Sequence, residues 1–209
     1  MALHPREVGY RAGLAAFAAT IAYDLVQMLQ IANVIRPPLD EILIYLTSLC
    51  IVVPFVLEML ALHHVTRPED QFWTHAAVIF AAIYAVFVSA NYVVQLATVI
   101  PAKANGAALP IHVLEQTPHS MYWDYDAVGY IAMGFATLFA AQAMPQTGFG
   151  RRVKWTLYAN TFVTPLITIV YFYPRFSTTL LFLGFPWAIT APLFMIAVAT
   201  YVRRSSFSS

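Results

Sequence analysis

Six long apolar stretches dominate this sequence and limit what the chain can fold into. They cover residues 10–33, 41–62, 72–100, 122–143, 153–173 and 178–202. A helix needs about 20 mostly apolar residues to cross a bilayer, and each stretch reaches that length. Inside a bilayer the backbone must satisfy its own hydrogen bonds, which favours helices. The sequence therefore predicts an all-α fold: a polytopic transmembrane helical bundle of about six spanning helices, forming a single domain over residues 1–209.

The composition excludes the ordinary soluble classes. Hydrophobic residues make up 60% of the chain and charged residues 10%, whereas soluble domains have about half apolar and a quarter charged residues. The net charge is +1 and the Lys and Arg residues are scattered, so the chain lacks the basic patch that nucleic-acid binding requires. The expected surroundings are membrane lipids, and nucleic acid is excluded as a partner.

Short polar breaks separate the stretches. Arg36-Pro37-Pro38 divides the first two, and Tyr173-Pro174-Arg175 divides the last two. Thr66, Pro68 and Glu69 have the spacing of a capping box that would open the third helix. These breaks predict short turns between antiparallel helices, with the one long connection at residues 101–121.

Lys and Arg counts predict the orientation, because short cytoplasmic loops are enriched in them. With six crossings, three of these residues fall on one side: Arg36, Lys103 and Arg175. The other eight fall on the opposite side: Arg6, Arg11, Arg67, Arg151, Arg152, Lys154, Arg203 and Arg204. The counts predict that the N- and C-termini are cytoplasmic and that the outer loop 101–121 faces outward.

Polar side chains within the apolar stretches are the candidate functional residues. Ionisable groups inside a membrane are costly and usually face the bundle interior, where they mark functional sites. By depth, five of them fall in the outer half and could meet in one cavity: Asp24, Gln27, Asn91, Gln95 and Asp126. Asp24 and Asp126 are the candidate acids or proton donors. The alternative is that the amides only hold helices together, at about 0.6 to 2 kcal/mol each.

Three further residues complete the candidate set inside the membrane. Tyr84 lies on the same stripe of the third helix as Asn91, and Tyr130 shares a face with Asp126, so both are predicted to line the cavity. Glu58 is a secondary candidate in the cytoplasmic half of the second helix. It could pair with a nearby histidine, take part in a proton path or reach the interface.

The sequence offers no cofactor or metal motif. Its two lysines, Lys103 and Lys154, lie outside the helix interiors, which excludes a retinal Schiff base. The six histidines lie at helix ends or in loops, which argues against haem. Gly-rich phosphate loops and nucleophile elbows are also missing. We therefore expect neither a cofactor nor a metal.

Two segments carry a resemblance to a known group. They are Ser89-Ala90-Asn91-Tyr92-Val93-Val94-Gln95-Leu96 and Pro118-His119-Ser120, the latter followed by Trp123, Asp126, Gly129-Tyr130 and Met133-Gly134. The chain here resembles a broad group of bacterial six-helix integral membrane proteins that is classed as a domain of unknown function. The resemblance implies a multi-pass protein of the bacterial plasma membrane, the cell inner membrane. It adds His119 and Trp123 to the candidate binding residues.

Three functions fit these observations. The first is a cavity that binds a lipophilic small molecule, lipid or isoprenoid-like, or converts it by acid catalysis. The second is a non-catalytic subunit, in which the polar stripes are packing and the outer loop docks onto a membrane protein partner. The third is a proton-coupled carrier that uses Asp24 and Glu58 at different depths. Because function has to be argued from a site, the sequence leaves open whether the protein is an enzyme.

Overall fold

The computed structural model describes residues 4–106 and 111–205. Residues 107–110, in the predicted outer loop, lie outside the described residues, as do the first three and last four residues. The long helices are α1 (Pro5–Ile31), α2 (Leu39–Val65), α3 (Gln71–Val94), α5 (Met121–Gln142), α6 (Gly148–Phe172) and α8 (Pro186–Arg204). Two short helices are α4 (Ile100–Ala104) and α7 (Thr178–Leu181). The described part of the chain contains no strand, which confirms the all-α prediction.

Within the described residues, four helical segments are long and apolar enough to cross a membrane: Pro5–Ile31, Leu39–Val65, Pro68–Ala104 and Thr178–Arg204. Helices α5 and α6 are also long but less apolar. Asp124 and Asp126 lower the hydropathy of α5, and Asn160 with several threonines lowers that of α6. The predicted membrane class is therefore supported by four helices. The number of six spans and the direction of the termini stay predictions.

The six long helices form a closed ring. Each contacts the next in the order α1, α2, α3, α5, α6 and α8, and α8 returns to α1. The guanidinium of Arg203 lies 4.5 Å from the ring centre of Tyr10, which brings the two ends of the chain to the same end of the bundle. We call this the terminal end, and we call the opposite end, which holds residues 111–120, the loop end.

Small residues lie among the large apolar side chains inside the ring, and large apolar residues also cover its outside. Ala16, Ala81 and Ala136 are fully buried, whereas Val53 and Phe162 are exposed over 64% and 70% of their surface. A soluble bundle instead carries polar and charged residues on its outside. Small residues let helices pack closely in a bilayer, where lipid covers the apolar outside.

Two local features differ from the sequence predictions. The side chain of Thr66 donates to the carbonyl oxygen of Leu62 at 2.7 Å, so the predicted capping box does not form, and a 3₁₀ turn at Pro68–Asp70 leads into α3. The sixth stretch is also not one continuous helix. It consists of α7, a 3₁₀ turn at Phe182–Gly184 and α8, which begins at Pro186.

Candidate functional site

The candidate site is built around Asp126 near the start of α5. The hydroxyl of Ser120 caps this helix by accepting a hydrogen bond from the backbone N–H of Trp123 at 3.2 Å. Asp126 follows within the first two turns, facing the interior of the ring, and only 4% of it is exposed. The cap therefore fixes where the helix begins and the depth at which its carboxyl lies.

Both carboxyl oxygens of Asp126 accept hydrogen bonds. Tyr92 of α3 donates from its hydroxyl to Oδ1 at 2.7 Å. Oδ2 accepts from the hydroxyl of Tyr171 on α6 and from Nε2 of Gln116 at 3.0 Å. Three donors from three separate parts of the chain thus converge on one buried carboxyl, as the high cost of burying such a group demands.

Two amide side chains of α3 hold the segment that carries Gln116. Nδ2 of Asn91 donates to Oε1 of Gln116 at 3.0 Å. Nε2 of Gln95 donates to the carbonyl oxygen of Leu114 at 2.8 Å, and its Oε1 accepts from the backbone N–H of Gln116 at 3.2 Å. Gln95 is the first residue of a π-helical turn, Gln95–Val99. These amides therefore fasten the loop end onto the bundle.

A small cavity lies beside Asp126 at the centre of the ring. Its walls are formed by Tyr23, Ser48, Ile51, Tyr84, Val88, Tyr92, Asp126, Tyr130 and Trp187. Helices α1, α2, α3, α5 and α8 all contribute to it. The cavity has room for about one water molecule. It is therefore a small chamber within the bundle, with a mostly apolar lining, and not a wide channel.

Aromatic side chains form most of the cavity wall. Trp187 packs edge-on against Tyr23 and Tyr130, with ring centres 5.7 and 5.3 Å apart. Within the described residues its indole Nε1 is buried and has no hydrogen-bond partner. On the far side of Asp126, Trp123 packs on Tyr171, with ring centres 4.6 Å apart, and its Nε1 donates to the carbonyl oxygen of Tyr171 at 3.4 Å.

The structure brings together most of the residues singled out from the sequence. Asn91, Gln95 and Asp126 belong to the hydrogen-bond network, and Trp123 supports Tyr171. Tyr84 and Tyr130 line the cavity. Of these, the depth argument grouped Asn91, Gln95 and Asp126, whereas Tyr84 and Tyr130 were added by their shared helix faces and Trp123 by the resemblance.

Asp24 and His119 lie apart from this group, whereas Gln27 interacts with the side chain of Tyr23. Asp24 is half-buried, and its Oδ1 has no hydrogen-bond partner among the described residues. It is not among the residues that line the cavity, whereas its neighbour Tyr23 is. Gln27 is half-buried one turn after Tyr23. His119 is exposed, in a turn where its φ is +66°.

Glu58 occupies a second polar position, nearer the terminal end. It is fully buried on α2. A Cβ at Gly13 of α1 would meet the Glu58 carboxyl and the side chain of Ala199 on α8, so these three helices enclose Glu58 closely. Neither carboxyl oxygen has a hydrogen-bond partner in the described parts of the chain. Of the three alternatives for Glu58, pairing with a nearby histidine is not formed: His63 instead contacts Thr74, with 2.8 Å between Nδ1 and Oγ1.

Sequence reasoning missed several members of the site. They are Tyr23, Ser48, Tyr92, Gln116 and Trp187. Tyrosine and tryptophan are also common at membrane interfaces and in cores, so residue type alone did not mark them. Tyr171 falls on one helix face with Asn160 at helical spacing in the sequence, and that shared polar face is the signal that could have pointed to it.

Comparison with known proteins supplies no relative. No protein-family model matches the chain, no curated protein matches it significantly, and the same holds for solved structures. The resemblance to a bacterial six-helix group therefore stays a prediction. Among the residues that the structure describes, no three His, Cys, Asp or Glu side chains are grouped so that they could hold a metal ion.

Proposed function

We propose that this chain is a multi-pass protein of a bacterial plasma membrane whose central cavity binds the polar group of a lipophilic molecule. In this proposal all six long helices span the bilayer, the termini are cytoplasmic and residues 111–120 lie outside. Four helices of sufficient length and hydropathy support the membrane assignment. The eight-to-three division of Lys and Arg supports the orientation.

The observation that carries the proposal is a small cavity whose lining residues include Asp126, which has acceptor oxygens, and Trp187, which has an unused donor. Asp126 supplies the carboxyl oxygens, and Trp187 supplies an indole N–H that is buried without a partner in the described residues. An unpaired buried polar group costs about 1–3 kcal/mol. An unpaired donor on a residue that lines the cavity supports a ligand group that accepts its hydrogen bond there. Aromatic walls with a few polar groups are typical of small-molecule sites.

The size of the cavity limits which part of a ligand it accepts. Space for about one water molecule suits a hydroxyl or amide group and not a hydrocarbon chain. The chain of the ligand would then lie between helices and reach the lipid once side chains at the cavity wall rotate. A lipid or isoprenoid-like molecule with one polar end fits this arrangement.

The contacts of Asp126 favour binding over acid catalysis. Tyr92, Tyr171 and Gln116 all donate to the carboxyl, so both oxygens already act as acceptors. A carboxyl that serves as a general acid has to present a proton to its substrate, whereas three hydrogen-bond donors stabilise a carboxyl that acts as an acceptor. We therefore assign Asp126 the role of an acceptor that orients the ligand.

Native mass spectrometry of the protein, extracted with its surrounding lipid, tests the proposal. We expect a lipophilic small molecule to stay bound to the wild type and to be lost from Asp126→Asn, because the substitution replaces one acceptor oxygen with an NH₂ group. Asp24→Asn is the matched control: it changes a carboxyl on α1 that lies outside the network, and it should retain the ligand.

Two outcomes would contradict this function. Equal ligand loss from Asp24→Asn and Asp126→Asn would remove the central cavity as the binding site. A stoichiometric partner protein without any small molecule would instead favour the subunit hypothesis, in which the polar stripes of the bundle serve packing. Asn160 gives that hypothesis its support, since its amide bonds Thr137 of α5 and Thr190 of α8 at 3.3 Å each.

The orientation is tested separately by labelling single cysteines on intact cells. The chain has one cysteine, Cys50, so a Cys50→Ser protein provides a background without thiols. Asn105 and Gln146 are both exposed, at the loop end and the terminal end respectively. We expect a membrane-impermeant maleimide to label Asn105→Cys and not Gln146→Cys, and the reverse result would invert the proposed topology.

Glu58 favours a second candidate function, a proton-coupled carrier. It is a fully buried carboxyl without a hydrogen-bond partner among the described residues, inside the same helix ring as Asp126 but nearer the terminal end. Ionisable residues inside membrane bundles often belong to proton relays. Two interior carboxyls at different depths are what such a carrier requires.

Proteoliposomes under a proton gradient test this second candidate. A carrier would show substrate-dependent proton flux that disappears in Glu58→Gln and persists in Glu41→Gln. Glu41 is a suitable control because it lies at the start of α2, with its carboxyl 3.9 Å from the ammonium of Lys103. Flux that survives Glu58→Gln would exclude Glu58 as the coupling group.

A further inference from the structure

Gln116 is the side chain of the loop end that reaches into the polar network. Its Nε2 donates to Asp126 at 3.0 Å, and its Oε1 accepts from Nδ2 of Asn91 at 3.0 Å. A single primary amide therefore bridges two buried polar residues, Asp126 and Asn91, which are 4% and 0% exposed. Gln116 belongs to neither helix, because it lies in the connection that precedes α5.

The subsite that receives Gln116 has an acceptor that Gln116 does not use. Oδ1 of Asn91 is buried and has no hydrogen-bond partner in residues 4–106 and 111–205. An unpaired buried acceptor costs free energy. The oxygen of the Gln116 amide cannot pair with it, because that oxygen is itself an acceptor and is bonded to Nδ2 of the same Asn91. A group that fitted the subsite fully would accept one hydrogen bond from Asn91 and donate two, one to Asp126 and one to Oδ1 of Asn91.

We infer that Gln116 occupies a polar subsite of the ligand that adjoins the cavity and shares Asp126 with it, and that the part of the ligand bound there is uncharged, with two donors and one acceptor. This inference rests on the function proposed above and names its ligand class: a lipophilic molecule that ends in a primary amide or a vicinal diol. Binding replaces the amide of Gln116 by the head of the ligand. The side chain of Gln116 thus competes with the ligand for this subsite.

The way the segment is attached supports replacement. Apart from the side chain of Gln116, the segment is tied to α3 through Gln95, which bonds the backbone at Leu114 and Gln116. Those two bonds involve backbone atoms and do not depend on where the side chain of Gln116 points. The amide can therefore leave the subsite by rotation of its own side chain while the segment stays fastened.

Oleamide is the probe that tests this inference, and N,N-dimethyloleamide is its matched control. Both have the same hydrocarbon chain and the same carbonyl acceptor, but the dimethyl compound has no N–H donor. We expect Gln116→Ala to bind oleamide about tenfold more tightly than the wild type, since binding no longer has to displace two hydrogen bonds. The dimethyl compound should show no such gain.

Two protein controls accompany the measurement, which is a titration of delipidated protein in detergent followed by native mass spectrometry. Gln142→Ala removes a different glutamine, whose Nε2 donates to the hydroxyl of Tyr158 at 2.9 Å, and it should bind oleamide as the wild type does. Gln116→Asn keeps an amide but shortens it by one methylene. It withdraws the group from Asp126 and should also tighten oleamide binding, so it serves if Gln116→Ala does not fold.

The outcomes separate this inference from the proposed function. Unchanged oleamide affinity in both Gln116 variants, or an equal gain for both compounds, would overturn the inference. If the wild type still retained a cellular lipophilic molecule that depends on Asp126, the proposed function would stand and only the assigned head group would fall. A selective gain for oleamide that disappears in Gln116→Ala combined with Asp126→Asn would establish both.

Discussion

The two tyrosines that donate to Asp126 allow the strength of the central network to be measured. Tyr92 bonds Oδ1 from α3 at 2.7 Å, and Tyr171 bonds Oδ2 from α6. Hydrogen bonds between membrane helices contribute about 0.6 to 2 kcal/mol, and bonds to a carboxyl fall toward the stronger part of such ranges. We expect Tyr92→Phe and Tyr171→Phe each to lower the free energy of unfolding by about 1–2 kcal/mol.

A double-mutant cycle with Asp126→Ala shows whether this loss belongs to the bond itself. We expect a coupling energy of about 1 kcal/mol between Asp126→Ala and each tyrosine substitution. Tyr158→Phe is the control, because it also removes an interhelical bond, to Gln142. Gln142 lies 16 residues after Asp126 on α5, or about 24 Å along the helix axis. Its effect should add to that of Asp126→Ala within about 0.5 kcal/mol.

Unfolding by SDS in mixed micelles provides the assay, with tryptophan fluorescence as the signal. Trp123 packs on Tyr171 and Trp187 lines the cavity, so both report on the region that is changed. Additive effects of Tyr92→Phe and Asp126→Ala would refute the reasoning, since the two side chains could then share no bond that matters for stability. A coupling of the same size for Tyr158→Phe would refute it as well.

Three further substitutions test other parts of the fold by the same unfolding measurement. Glu58→Met should raise the free energy of unfolding by about 1–3 kcal/mol, because it removes an unpaired buried carboxyl; no gain would mean that Glu58 has a partner. Gly134→Val should lower it by about 1–3 kcal/mol, because a Cβ there would overlap the Thr164 side chain, and Thr164→Ala should recover part of the loss. Ser120→Ala should cost about 1 kcal/mol through the lost helix cap, and an unchanged value would show that the cap is not needed.

The helices were predictable because apolar length is a strong signal. The predicted stretch 41–62 corresponds to Leu39–Val65, and 122–143 corresponds to Met121–Gln142. Deviations occur where local chemistry competes with that signal. The stretch 72–100 extends through a π-helical turn to Ala104, and the final stretch is broken before Pro186. Hydropathy does not detect the π-helical turn, because only the helical hydrogen-bond pattern changes there. The break before Pro186 does have a signal in the sequence, the nearby Gly184 and Pro186, which apolar length alone overlooks.

The sequence predicts how far along each helix a candidate residue lies, but not the direction in which its side chain points. Counting residues along α1 correctly places Asp24 near the level of Tyr23, which lines the cavity. Neighbouring residues on a helix point about 100° apart, so a helix that presents Tyr23 to the centre turns Asp24 to the side. The rotation of each helix about its own axis depends on contacts such as those of Tyr23 with Trp187. Residue spacing within one helix cannot supply that angle.

The loop end was the least predictable part of the site and is also the part through which the site can change. Tyr92 and Tyr171 approach Asp126 from long helices that are packed along their length, so moving either one would disturb the ring. Gln116 approaches from a connection between elements, and its side chain can rotate without moving a helix. Of the three donors to Asp126, Gln116 is therefore the one that a ligand can replace at the lowest cost in free energy. The position of the third donor on a connection between helices is therefore consistent with a site that exchanges this donor for a ligand.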